Sequence, residues 1–238
     1  MPLGDDSPDA GRAKRWRVGL ALRHLRASRS YGFVLLLVLC TFVFIAATPD
    51  ASWPRAVLVL LQAITLAVAL WTSGITGRLD SVAALLVVLG LAGGAAQLAT
   101  DSTNATGALG LLDVLLIGAT CVVIALGVRD QHGVNVQSVL GALCIYLLIG
   151  LLYTFAYGAV AALESGSFFA QGTDGTPALR LYFSVVTIST VGYGDYSAGT
   201  DLGRTLAGSE ALLGQVYLVT VVAVIVSRLR PTRPERAG

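Results

Sequence analysis

Long apolar runs separated by short polar breaks set the pattern of this chain. Six of them occupy about residues 32–48, 54–74, 81–98, 108–128, 136–162 and 203–226. A helix that crosses a bilayer needs about 20 mostly apolar residues, so the pattern predicts an all-α membrane protein with six transmembrane helices. Trp53 and Trp71 fall near the ends of the second run, where interfacial aromatics sit. Gly90 and Gly94 in the third stand four apart, the spacing that lets helices approach closely. The fifth run is long and carries Tyr146, Tyr153 and Tyr157. The first run follows an Arg-rich leader too long for the basic end of a secretory signal, and further apolar runs come after it. It reads as a retained helix.

Composition supports the pattern and narrows it. Of 238 residues, 55% are hydrophobic and 13% charged, with a mean hydropathy of +0.76; soluble domains carry about 25% charged residues. An ordinary cytosolic enzyme and a disordered chain are both excluded. The charges are segregated. Residues 1–30 and 228–238 hold 11 of the 16 basic side chains, and between Tyr31 and Ser227 only Arg55, Arg78, Arg129, Arg180 and Arg204 are basic. Six spans put both ends on one side, and basic tails place that side in the cytoplasm of a multi-pass protein of the cell membrane. The tails can also contact anionic lipids. Arg12, Lys14, Arg15, Arg17, Arg23 and Arg26 alternate with Trp16, Val18, Leu22 and Leu25, which fits either a helix lying on the membrane face or a basic arm. Cys40, Cys121 and Cys144 read as small core residues rather than disulfide partners or metal ligands. His24 and His132 read as solvated loop residues.

Residues 163–202 differ from the spans. Thr176 and Pro177 read as an N-cap and first helical position. The run from Ala178 to Ser189, about 18 Å long as a helix, is too short to span and suits a re-entrant half-helix. Thr190-Val191-Gly192-Tyr193-Gly194-Asp195 follows.

The stretch Thr187-Ile188-Ser189-Thr190-Val191-Gly192-Tyr193-Gly194-Asp195, set after a half-helix and between two spans, resembles the pore signature of potassium channels. More broadly, the layout resembles a six-transmembrane, single-pore-loop, tetrameric cation channel of bacterial type. A dehydrated K+ needs a cage of oxygens in place of its water. Backbone carbonyls supply it only in unusual torsions, which Gly192 and Gly194 tolerate. The resemblance implies that the carbonyls of Thr190, Val191, Gly192 and Tyr193, with the Thr190 hydroxyl, form K+ sites in a selectivity filter completed by Gly194. It implies no cofactor other than the K+ ions in the filter. One filter segment per chain implies a homotetramer.

Some positions depart from the family pattern. Many members carry two Trp residues where this chain has Tyr182 and Phe183. By this resemblance Tyr182 can still donate to Asp195, whereas Phe183 cannot donate to Tyr193. Val186 replaces a Glu that pairs with the filter Asp in some members. Gly214 lies where the family often has a hinge glycine; the alternative is a small residue for helix packing. Glu210, one turn earlier, either supports the filter from behind, attracts cations, or is a hydrogen-bonded structural carboxylate.

The fourth run lacks the regular arginines of a voltage sensor. Its only charge before Arg129 is Asp113, expected to reach the headgroups from the outer end of the helix, the alternative being an ion or proton site between helices. The eleven residues after Ser227 are expected to be too few for a ligand-binding domain. The expected organisation is a basic cytoplasmic segment (1–30), a four-helix domain without sensor arginines (31–135), a pore domain (136–228) and a short tail (229–238). The linker at 129–137 is short, which favours packing of the four helices beside their own pore domain. The expected function is voltage-independent, potassium-selective conduction, not an enzyme and not a nucleic-acid binder. A non-conducting membrane scaffold that kept the pore fold is the alternative. A coupled transporter subunit fits less well, because those built on this fold carry four degraded filter segments in one chain.

Overall fold

A computed structural model describes residues 30–48, 52–74, 78–100, 106–129 and 136–229. The basic leader with its alternating arginines, His24, His132 and the tail beyond Leu229 lie outside the described residues. Seven helices follow in order: α1 (Tyr31–Ala47), α2 (Ser52–Ser73), α3 (Arg78–Thr100), α4 (Thr106–Arg129), α5 (Val136–Leu163), α6 (Pro177–Ile188) and α7 (Asp201–Leu229). Among the described residues there are no strands, only isolated bridges that pair Phe169 with Thr173 and Ala198. Three segments are long and apolar enough to cross a membrane: Trp53–Ser73, Gly110–Arg129 and Val136–Leu163. Tyr31–Ala47 and Asp80–Ala95 are apolar but shorter. The molecule is an all-helical membrane protein.

The first four helices pack around α2, which meets α1, α3 and α4. Val34 and Val38 of α1, Val59 and Leu66 of α2, and Leu116 and Ile124 of α4 are fully buried in one cluster. The expected close approach at Gly90 and Gly94 is present. A Cβ on Gly90 would lie 3.0 Å from Ala63 Cβ, and one on Gly94 would lie 2.8 Å from Leu60 Cγ. The α4 helix then packs on α5 of the same chain, and α1 reaches α5 and α6. The amide of Tyr31 donates to Gln137 Oε1 at 2.8 Å, tying the start of α1 to the start of α5.

Two expectations need correction. Asp113 does not reach outward; it is 5% exposed. With its amide nitrogen turned inward, Gln62 of α2 donates to Asp113 Oδ1 at 3.0 Å and to its carbonyl at 3.2 Å. A buried carboxyl is stable only with such donors, and the polar residue that supplies them lies 51 positions earlier, beyond the reach of local pattern. Cys40 is exposed on the outer side of α1, whereas Cys144 is buried. A helix that is apolar all round does not reveal which side faces inward.

Candidate pore segment

The site is built on α6. Thr176 caps it, its hydroxyl accepting from the Leu179 amide at 3.2 Å, and Pro177 opens the first turn. Arg180 Nη1 donates back to the carbonyls of Asp174 (3.0 Å) and Gly175 (2.7 Å), fixing the approach. Leu181, Phe183, Ser184 and Ile188 are buried; Tyr182 and Val185 are not. The helix ends at Ile188, so its partly negative end stands directly before residues 190–195.

That strip has an alternating backbone. Thr190, Gly192 and Gly194 take φ of 59°, 55° and 77°, while Val191 and Tyr193 between them are not left-handed. Glycine adopts these angles freely. For Thr190 the left-handed conformation costs about 1–2 kcal/mol, a strain of the kind that concentrates at functional sites. The amides of Thr190, Val191 and Gly192 are held by the carbonyls of Thr187 and Val186. Among the described residues nothing donates to the carbonyls of residues 190–194. Val191 and Tyr193 are 53% and 72% exposed. The result is an exposed row of backbone oxygens without donors. Oxygens of that kind suit a hard, dehydrated cation. No group of three or more His, Cys, Asp or Glu among the described residues could hold a metal.

The far end of the strip is anchored. Tyr182 Oη donates to Asp195 Oδ2 at 2.8 Å, and the Tyr196 amide donates to Asp195 Oδ1 at 3.1 Å. The bond to Asp195 pushes the Tyr182 hydroxyl above its ordinary pKa. Gln171 Nε2 donates to the Asp195 carbonyl at 2.9 Å. Phe183 turns away from Tyr193 into an aromatic cluster, with ring centroids 5.3 Å from Tyr157 and 5.4 Å from Phe169. Val186 is half-buried on α6.

Two of the expected support residues lie on α7. Glu210 is fully buried, and its carboxyl oxygens lie in hydrogen-bond contact with Tyr157 Oη of α5 and Ser184 Oγ of α6. Gly214 faces the end of α6: a Cβ there would stand 2.7 Å from the Ile188 carbonyl oxygen and 2.6 Å from Ile188 Cγ1. Its lack of a side chain lets α7 pass directly behind the start of the strip. Tyr217 Oη of α7 donates to the Ala142 carbonyl of α5 at 2.6 Å, and Tyr146 Oη of α5 to the Ile188 carbonyl at 3.4 Å.

Sequence reasoning named Tyr182, Phe183 and Glu210 but missed Tyr157, Ser184 and Gln171 as partners. A buried carboxyl in a span calls for donors, so the tyrosines of α5 and the serine of α6 were available signals. Gln171 carries none, because its contact depends on how the loop before α6 folds.

Residues 141–230 match the ion channel family. The inward rectifier potassium channel Kirbac3.1 of Paramagnetospirillum magnetotacticum is 34% identical over 108 residues, 44% of this chain and 37% of that protein. Probable potassium channel protein 2 of Methanocaldococcus jannaschii is 38% identical over 80 residues, 32% of this chain and 20% of that protein. No solved structure matches significantly. The chain is thus similar to the ion channel family over residues 141–230, and to these two potassium channels over part of its length. It spans about a third and a fifth of the length of these two relatives.

Proposed function

We propose that this protein is a potassium-selective channel, a homotetramer with six spans per subunit and both termini in the cytoplasm. The observation that carries the reading is the row of donor-free carbonyls at Thr190, Val191, Gly192 and Tyr193, alternating in handedness and aimed by α6. One chain supplies one wall of a cage, and four copies about an axis would surround a dehydrated K+ on all sides. In that assembly Val191 and Tyr193, open in the single chain, would pack against neighbouring subunits. Gly194 and Asp195 would close the outer end, with Tyr182, Phe183 and Glu210 as supports behind.

The helices α1–α4 form a packed domain beside the pore. Its fourth helix offers only Asp113 and the terminal Arg129 as charges, and Asp113 is bonded to Gln62. With no row of arginines to move in the field, conduction would be independent of voltage apart from effects arising in the filter itself. Conduction would be passive, down the electrochemical gradient.

The test is a single-channel recording of the purified full chain in a planar bilayer, with K+ on one side and Na+ on the other. A reversal potential near the K+ equilibrium value, unchanged across a voltage sweep, is expected. Unselective conduction, or a purified oligomer other than four, would overturn the reading.

A further inference from the structure

Glu210 is the one fully buried carboxyl among the described residues whose donors come from two other helices, and its hydrogen atoms can be counted. Three close oxygen–oxygen contacts run through it: Tyr157 Oη to Glu210 Oε2, Ser184 Oγ to Glu210 Oε1, and Ser184 Oγ to the Gly150 carbonyl at 2.7 Å. The Gly150 carbonyl also accepts from Thr154 Oγ1 at 2.8 Å. Each contact needs one proton between its two oxygens. Tyr157 brings one and Ser184 brings one. A carboxylate brings none and a carbonyl brings none. With Glu210 ionised, two protons must serve three contacts, and Ser184 faces either Glu210 or Gly150 with lone pairs opposed.

Among the described residues none offers Glu210 a compensating charge. On α5 the titratable groups facing this region are Tyr146, Tyr153 and Tyr157. Tyr146 donates to Ile188 and Tyr153 pairs with Ser209 at 2.8 Å. On α6, Tyr182 is bonded to Asp195, and Arg180 holds the carbonyls of Asp174 and Gly175 at the opposite end of the helix from the strip. On α7 itself, Arg204 reaches the Ala198 carbonyl and Asp201. Among the described residues no cation bonds Glu210. An unpaired carboxylate in so dry a place is costly.

We propose that Glu210 is a carboxylic acid in this structure and acts as a donor, passing a hydrogen-bond relay from α7 through Ser184 of α6 to the Gly150 carbonyl of α5. The third proton is its own. Glu210 Oε1–H donates to Ser184 Oγ, Ser184 donates to Gly150, and Tyr157 donates to Glu210 Oε2. All three contacts are then satisfied, and the three helices behind the strip are joined without a buried charge. Glu210 is a positioning residue: it is fully buried and acts by fixing α6, on whose end the strip is mounted. That last role rests on the pore reading; the proton count does not.

Infrared spectroscopy of the purified full chain in D2O at neutral pH tests the relay without any measurement of flux. The difference between wild type and Glu210→Gln should contain the carbonyl stretch of a protonated carboxylic acid. Ser184→Ala, which removes the acceptor of that proton, should move the band to higher frequency. Glu210→Gln keeps a donor and an acceptor in the same places. It should therefore retain the thermal stability of the oligomer, while Glu210→Ala lowers the melting temperature by several degrees. Absence of the acid band, or Glu210→Gln as damaging as Glu210→Ala, would show a carboxylate and overturn the proposal. If the band is present and the chain conducts no K+, the relay stands and the pore reading falls.

Discussion

The two halves of this molecule satisfy their polar groups in different proportions, one mostly within its helices and the other largely between elements. In α1–α4, buried hydroxyls turn back onto their own helix: Thr41 bonds the Leu37 carbonyl at 2.9 Å, Thr65 bonds Leu61 at 2.7 Å and Thr120 bonds Leu116 at 2.7 Å. Such bonds are local and say nothing about neighbours. The Gln62–Asp113 pair crosses between these helices through buried side chains. In α5–α7 Thr154 and Thr220 also turn back onto their own helix, but other polar groups reach across. Tyr146, Tyr153, Tyr157, Tyr217, Ser184 and Tyr182 each bond a residue on another element. Apolar packing holds helices together but lets them slide or rotate at small cost, whereas a hydrogen bond of fixed direction does not. The first half is thus a shaped body, and the second is a frame that fixes the position of a few backbone oxygens.

The sharpest way to break that contrast is at the strip. Gly192 and Gly194 have nothing within 4 Å of an added Cβ, so space is not the constraint there; φ of 55° and 77° is. Alanine at either position is strained by about 1–2 kcal/mol and would swing a carbonyl out of the row. Gly192→Ala and Gly194→Ala are expected to abolish K+ flux into proteoliposomes while the oligomer still assembles on size exclusion. Unchanged flux in either would remove the strip from the conduction path.

The same contrast explains what could be read from sequence. The half-helix with Thr176 and Pro177 at its start, and the strip after it, were legible because short-range rules govern them: a cap, a length, and glycines at alternate positions. The close approach at Gly90 and Gly94 was legible for the same reason. The inward turn of Asp113 and the outward turn of Cys40 were not. Both depend on which side of an apolar helix meets its neighbour, and these helices are apolar nearly all round. Glu210 stood out as a charge in a span, but its partners come from residues 26 and 53 positions away. No local periodicity encodes those separations.

A second measurement probes a long-range polar link of the first half. Gln62→Leu removes the donors to a buried Asp113 and leaves the carboxyl without partners. The expected loss is about 1–3 kcal/mol, read as a lower midpoint in denaturing-detergent titration, with K+ selectivity unchanged. A selectivity change instead would mean that the four-helix body positions the strip as the second half does.

Packing in the first half can be graded with glycines. A Cβ on Gly94 would meet Leu60 Cγ at 2.8 Å and the Ala56 carbonyl at 3.1 Å, whereas one on Gly118 has nothing within 4 Å. Gly94→Ala should cost about 1–3 kcal/mol by overpacking. Gly118→Ala should gain about 0.5–1 kcal/mol, because the helix no longer pays glycine's entropy. The same detergent titration reads both, and shifts of the same sign would contradict the packing between α2 and α3.

The smallest expected effect lies at the edge of the frame. Tyr182→Phe removes the 2.8 Å bond to Asp195 and nothing else that is buried, since Tyr182 and Asp195 are both exposed in the single chain. Water replaces the phenol, so global stability should fall by less than about 1 kcal/mol, within reach only of a careful titration. The local consequence is different in kind. Asp195 keeps the Tyr196 amide at Oδ1 and the Gln171 amide at its carbonyl, so the strip stays anchored but one restraint against rotation of its outer end is gone. Losing a restraint worth about 1 kcal/mol changes a conformational equilibrium roughly fivefold. The expected result is a change of about that size in the fraction of time the pore stays open in steady recordings, with K+ selectivity retained because the carbonyls of Thr190 and Val191 lie at the other end of the strip. A fall in stability with gating untouched would reverse the assignment, making Tyr182 part of the body rather than part of the frame.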